Sequence, residues 1–207
     1  MKNNTKQIQT ILFLGALWGI CEASIGHLLH FLPYGFSGMF MFPIGFYFMY
    51  NAYKQTEKKN AVLWVGIIAA SIKFVDLLMP IKSPLSVINP AISIILESLI
   101  VFAFVKIYNK KKIFVPSFIL GLSWITLFTL TQAFVFKPTI GLYLHPLHEI
   151  LFFILLNALV SGLLITVYLK KGDIAVLNPG LRKTSYVFPL LTLGIAVIFE
   201  LVNSLII

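Results

Sequence analysis

The sequence predicts an all-α fold: a polytopic transmembrane helical bundle of about seven spans, N-in/C-out, built as one integral membrane domain over residues 1–207. Three observations predict it. First, 59% of the 207 residues are hydrophobic and only 11% are charged, against about 25% charged in a soluble domain. With a mean hydropathy of +0.95, this excludes a disordered chain and an ordinary water-soluble domain. Second, the apolar runs are continuous and about 20 residues long, the length a helix needs to cross hydrocarbon. A barrel strand would alternate polar and apolar residues instead. Third, Lys and Arg alternate between successive connections.

The expected spans are 8–32, 35–53, 61–79, 89–108, 114–136, 149–169 and 187–207. Each must be helical, because lipid satisfies no open backbone group. The first run is too long for the core of a secretory signal, so it reads as a retained span. The lone Cys21 lies inside it and excludes an intramolecular disulfide. Span 4 opens with Asn89-Pro90, an N-cap followed by proline at the first helical position. Span 6 begins near His145-Pro146 in the same way.

Orientation follows from the basic residues. Thirteen of the sixteen lie at the N-terminus and in or beside the 2–3, 4–5 and 6–7 connections. The opposite side holds Lys82 and Lys137, and Lys73 lies within span 3. The basic side belongs in the cytoplasm, so the N-terminus is inside and the C-terminus outside. This topogenic signal, with attraction to anionic lipid, accounts for the net charge of +9. The basic loops are short and lack interleaved polar and aromatic readers, so no nucleic acid is expected as a partner.

The remaining titratable residues gather on the outer side. His27, His30, His145 and His148 flank spans 1 and 6, and Glu22, Asp76, Glu97, Glu149 and Glu200 lie in spans or at their outer ends. A charge at the bilayer centre costs about 3 kcal/mol or more, so such residues mark a functional site. Glu22, Gly26 and His30 share one face of span 1, and Asn89, Ser93 and Glu97 form an i, i+4, i+8 stripe on span 4. Glu97 is then about 12 Å below the outer end. Glu149, Asn157 and Ser161 line one face of span 6. Lys73 and Asp76 are spaced to pair across one turn, and Glu200, Asn203 and Ser204 put a polar patch on span 7.

The expected substrate-binding residues are therefore Glu22, Asn89, Ser93, Glu97, Glu149 and Asn157. His27-x-x-His30 and His145-x-x-His148-Glu149 each present two imidazoles on one helical face. Imidazole with a carboxylate suits a divalent transition metal, and proton handling is the competing role.

Gly35-Phe36-Ser37-Gly38 resembles the GxSG motif of rhomboid intramembrane proteases over four residues. Its place after the first span reads as a glycine-rich outer turn. The size, basic loops and small-residue first span are similar to the membrane-embedded substrate-binding component of energy-coupling-factor transporters. That resemblance implies that Gly15, Gly19 and Ala23 form a partner interface for a coupling subunit. The function expected is binding and uptake of a small solute or metal ion from an outward-facing His/carboxylate site in the cell membrane. The alternative is a membrane-embedded, metal-dependent enzyme of hydrolase type, with Glu22, Glu97 or Glu149 as general base.

Overall fold

Seven helices form the chain in a computed structural model, which describes residues 2–29, 36–78, 84–108, 113–138, 141–171 and 186–206. The side chains of 2, 3, 27 and 203–206 are outside that description. α1 (Lys2–Cys21) runs on through a π turn (Glu22–Gly26) and one further α turn (His27–Leu29). α2 (Phe36–Thr56) and α3 (Asn60–Lys73) follow, and α3 tightens into a 3₁₀ turn (Phe74–Leu78). α4 (Leu85–Ile107) and α5 (Phe114–Thr131) come next, and α5 ends in a second π turn (Gln132–Phe136). α6 (Leu147–Lys171) and α7 (Val187–Ile206) complete the order.

Among the described residues, five segments are long and apolar enough to cross a membrane: Asn4–Gly26, Asn60–Leu78, Leu85–Ile107, Phe114–Phe136 and Leu147–Lys171. The expected seventh span contributes a shorter apolar stretch, Val187–Val202. The expected second span, α2, is not among the five either. Its sequence is punctuated by Tyr47, Tyr50, Asn51 and Tyr53, which lower its hydropathy. Yet α2 is enclosed, packing against α1, α3, α4 and α6. Phe42, Phe46, Met49 and Ala52 along it are fully buried. These apolar helices point to a membrane protein.

Span 4 begins earlier than expected. α4 starts at Leu85, directly after Pro84, so Pro90 lies inside the helix and Asn89 is not its N-cap. The amides of Val87 and Ile88 both donate to the Pro84 carbonyl, which nucleates the helix a turn upstream. Pro90, at the sixth helical position, has no N–H to donate to the carbonyl four residues back.

Lipid gives no hydrophobic drive for helices to associate, so close packing through small residues must supply it. A Cβ on Gly162 would stand 2.8 Å from the Phe118 Cα, so α6 meets α5 backbone to backbone. On α1, a Cβ at Gly15 would lie 2.8 Å from Ile68 Cβ, and one at Gly19 would lie 2.5 Å from Ile72 Cδ1. The Gly15/Gly19 stripe thus receives α3 of the same chain, and Ala23 beyond it is buried. Most hydroxyls inside the helices are also accounted for locally. Thr10, Ser24, Ser71, Ser117, Thr129 and Thr166 each donate to the carbonyl four residues back.

Candidate functional site: a buried carboxylate pair

Glu22 opens the π turn of α1, a widening that often marks functional positions in helices. One turn earlier, Trp18 is fully buried, and its indole Nε1 donates to Glu22 Oε1 at 3.2 Å. One turn later stands Gly26, where a Cβ would lie 3.1 Å from Glu22 Oε2. A tryptophan below and a glycine above therefore make the berth of this carboxylate. Gly26 belongs to the stripe that the sequence identifies, and Trp18 lies one turn before it.

Glu97 reaches the same region from α4. It is 3% exposed, and its Oε2 has no hydrogen-bond partner. The third wall is α2 at Gly45. A Cβ there would stand 2.6 Å from Trp18 Cζ2 and 2.9 Å from Glu97 Oε2. Glycine alone lets the indole and the carboxylate occupy this flank of α2. Glu22 and Glu97 come from different helices and are close enough for the charge of one to act on the other. Sequence reasoning found both acids. It missed Trp18 and Gly45, although Trp18 is legible at i−4 from Glu22.

A second charged group lies at the ends of α3 and α7. Lys73 closes α3, and the 3₁₀ turn that follows brings i and i+3 into line. Its Nζ is 3.1 Å from Asp76 Oδ2 and also donates to Glu200 Oε1. Asp76 and Glu200 are buried, at 5% and 1% exposure. Lys73 also acts electrostatically on Glu22, which places this ion-pair group beside the carboxylate pair. The Lys73–Asp76 pairing matches the spacing in the sequence. Glu200 as its second partner does not follow from spacing, because it depends on how α7 docks.

The other expected site residues are arranged differently. Asn89 accepts a hydrogen bond on Oδ1 from Gln132 Nε2, where α5 enters its π turn, and so ties α4 to α5. Ser93 donates to the Asn89 carbonyl at 3.0 Å, within its own helix. Asn157 is fully buried on α6, where Ser161 bonds to its backbone carbonyl and lies 3.1 Å from its Oδ1. His145 Nδ1 sits 2.9 Å from Glu149 Oε2, and both side chains are about half exposed. His148 is 82% exposed and stands 4.0 Å from Glu149. His30, Gly35 and the side chains of His27, Asn203 and Ser204 lie outside the described residues. Among the described residues, no group of three or more His, Cys, Asp or Glu side chains is arranged to hold a metal ion.

Trp124 on α5 is a further residue that sequence reasoning missed. It is buried and stacks on Phe42 at 5.5 Å between centroids. Its Nε1 has no hydrogen-bond partner. A Cβ on Gly38 would lie 3.8 Å from that nitrogen. Gly38, Phe42 and Gly45 follow one another along α2, so its inner face meets an unpaired indole donor at one end and an unpaired carboxylate oxygen at the other.

No model of a known protein family, no curated protein and no solved structure matches the chain. What fold and site define is a class: a protein all-helical among its described residues, five of whose described helices are long and apolar enough to cross a membrane, with ionisable side chains buried between helices.

Proposed function

We propose that this chain is a multi-pass carrier of the cell membrane that binds a small solute or ion between α1, α2 and α4. In this reading all seven helices cross, including the enclosed α2 and the shorter α7. The N-terminus is cytoplasmic, and the carboxylates lie in the outer half of the bilayer. The supporting observation is Glu97. An unpaired buried polar atom costs about 1–3 kcal/mol and more when charged. Asp76 and Glu200 also leave one oxygen unpartnered but are held by Lys73, whereas among the described residues no cation pairs with Glu97. Glu97 keeps one oxygen unengaged at 3% exposure. Such an arrangement persists where function requires it, and intramembrane carboxylates line solute and ion pathways.

The polar face inside α2 extends the site. Trp124, stacked on the ring of Phe42, offers a donor and Glu97 an acceptor. A solute with both polar and apolar parts fits that order.

The test uses purified protein in sealed vesicles, supplied with labelled amines, amino acids, nucleosides and divalent cations. Accumulation of one of them by the wild type, lost in Glu97→Gln with the melting temperature maintained, is the expected result. Chemical conversion of the solute, or undiminished accumulation by Glu97→Gln, would overturn the carrier reading.

A further inference from the structure

We infer that Glu22 and Glu97 together form a proton-binding pair, and that the proton is the ion whose movement the carrier couples to its solute. The second half rests on the carrier reading above, and the first half does not.

The charge surroundings argue for a bound proton. α4, which carries Glu97, packs against α2, α3 and α5, and the charge of Glu22 acts on Glu97 from α1. α2 offers only the phenols of Tyr47, Tyr50 and Tyr53 near its inner half, with Lys54 at its far end. α5 and its π turn carry no Asp, Glu, Lys, Arg or His from Phe114 to Phe136. α1 adds the thiol of Cys21 next to Glu22. Among the described residues, the cation nearby is Lys73 on α3, and that ammonium is already held by Asp76 and Glu200. Among the described residues, four carboxyl groups therefore share one ammonium. Two carboxylates near each other in a low-dielectric interior do not both ionise without a counter-cation.

Space argues for the proton over a larger cation. The indole of Trp18 and the Glu97 carboxylate already crowd the Gly45 flank, at 2.6 and 2.9 Å from a Cβ position. A Ca²⁺ ion takes six to eight oxygen ligands and Mg²⁺ requires six in near-octahedral order. Two carboxylates in a close-packed flank supply neither set. A proton needs only an oxygen, and the unpartnered Glu97 Oε2 is one.

The pair is also graded. Glu22 is partly exposed and Glu97 almost wholly buried. A proton arriving on water binds the Glu22 carboxylate first. It then passes to the Glu97 carboxylate, leaving Glu97 neutral and Glu22 ionised again. The reverse steps return it to water, with no change in electron count. Protons leaving such a pair titrate as a unit, with two apparent constants belonging to both residues.

Infrared spectroscopy of the full-length protein in lipid tests the pair without any solute. The spectra are recorded at neutral pH. The wild type is expected to keep a protonated-carboxyl carbonyl band that shifts in heavy water. Glu97→Gln should lose that band, and Glu22→Gln should move its titration midpoint. Glu97→Asp retains a carboxyl and should restore a shifted band, which covers the case where Gln at this position fails to fold. Asp76→Asn and Glu200→Gln should leave the Glu97-dependent part intact. A neutral-pH spectrum unchanged by both Glu97→Gln and Glu22→Gln would overturn the pair. A protonophore that collapses solute accumulation in vesicles would support the coupling. Accumulation indifferent to it would overturn the coupling while leaving the carrier reading standing.

Discussion

The Glu97 Oε2 oxygen lies 2.9 Å from the point where a Cβ would stand on Gly45. Residues 52 apart in sequence thus fit one another: the missing side chain of one makes the space for the charge of the other. Trp18 fills the rest of that space, at 2.6 Å from the same point.

Gly45→Ala should therefore displace either the indole or the carboxylate. Overpacking of this kind costs about 1–3 kcal/mol. The expected outcome is a lower melting temperature in detergent, partly recovered when Trp18→Phe is added to remove the crowded six-membered ring. An alanine variant as stable as the wild type would show that the flank is looser than the structure has it.

Lys73 joins α3 to α7 through Asp76 and Glu200. Removing one partner of a buried ion pair leaves an uncompensated charge and costs about 3–5 kcal/mol. Lys73 is about one-fifth exposed, so the lower end of that range applies. Lys73→Met should thus unfold at markedly lower temperature. Adding Asp76→Asn and Glu200→Gln should recover most of the loss, because the orphaned charges are then gone.

Gly15→Leu examines whose helix fills the small-residue stripe. A side chain there meets Ile68 Cβ at 2.8 Å and the Val65 carbonyl at 3.2 Å, both on or close to rigid backbone. The isolated chain should lose about 1–3 kcal/mol of stability. If the stripe instead served a separate subunit, the isolated chain would melt unchanged and only co-purification would suffer.

Orientation is checked with a reporter active only in the cytoplasm, fused at the C-terminus. Seven crossings with a cytoplasmic N-terminus predict an inactive fusion. Strong activity would require an even number of crossings, with α2 or α7 as the first candidates for a non-crossing helix.

The sequence by itself determined the helical class, because long continuous apolar runs admit no other structure in lipid. It also determined which residues needed a special explanation. Glu22, Asp76, Glu97 and Glu200 stand out in apolar segments, and Lys73–Asp76 pair at the spacing expected. Helical periodicity is local, so contacts one turn apart were legible, including the missed Trp18–Glu22 bond. Tertiary structure alone decided what lies across from each of these groups. It turned Asn89 from a cap into a link to Gln132 and set Ile68 and Ile72 against Gly15 and Gly19. It gave Lys73 its second acid from α7, left His145 and His148 exposed, and put Gly45 beside Glu97. None of these has a sequence period, because which helix faces which depends on how side-chain volumes interlock between segments far apart in the chain. A glycine needed for such an approach looks in the sequence like any other glycine.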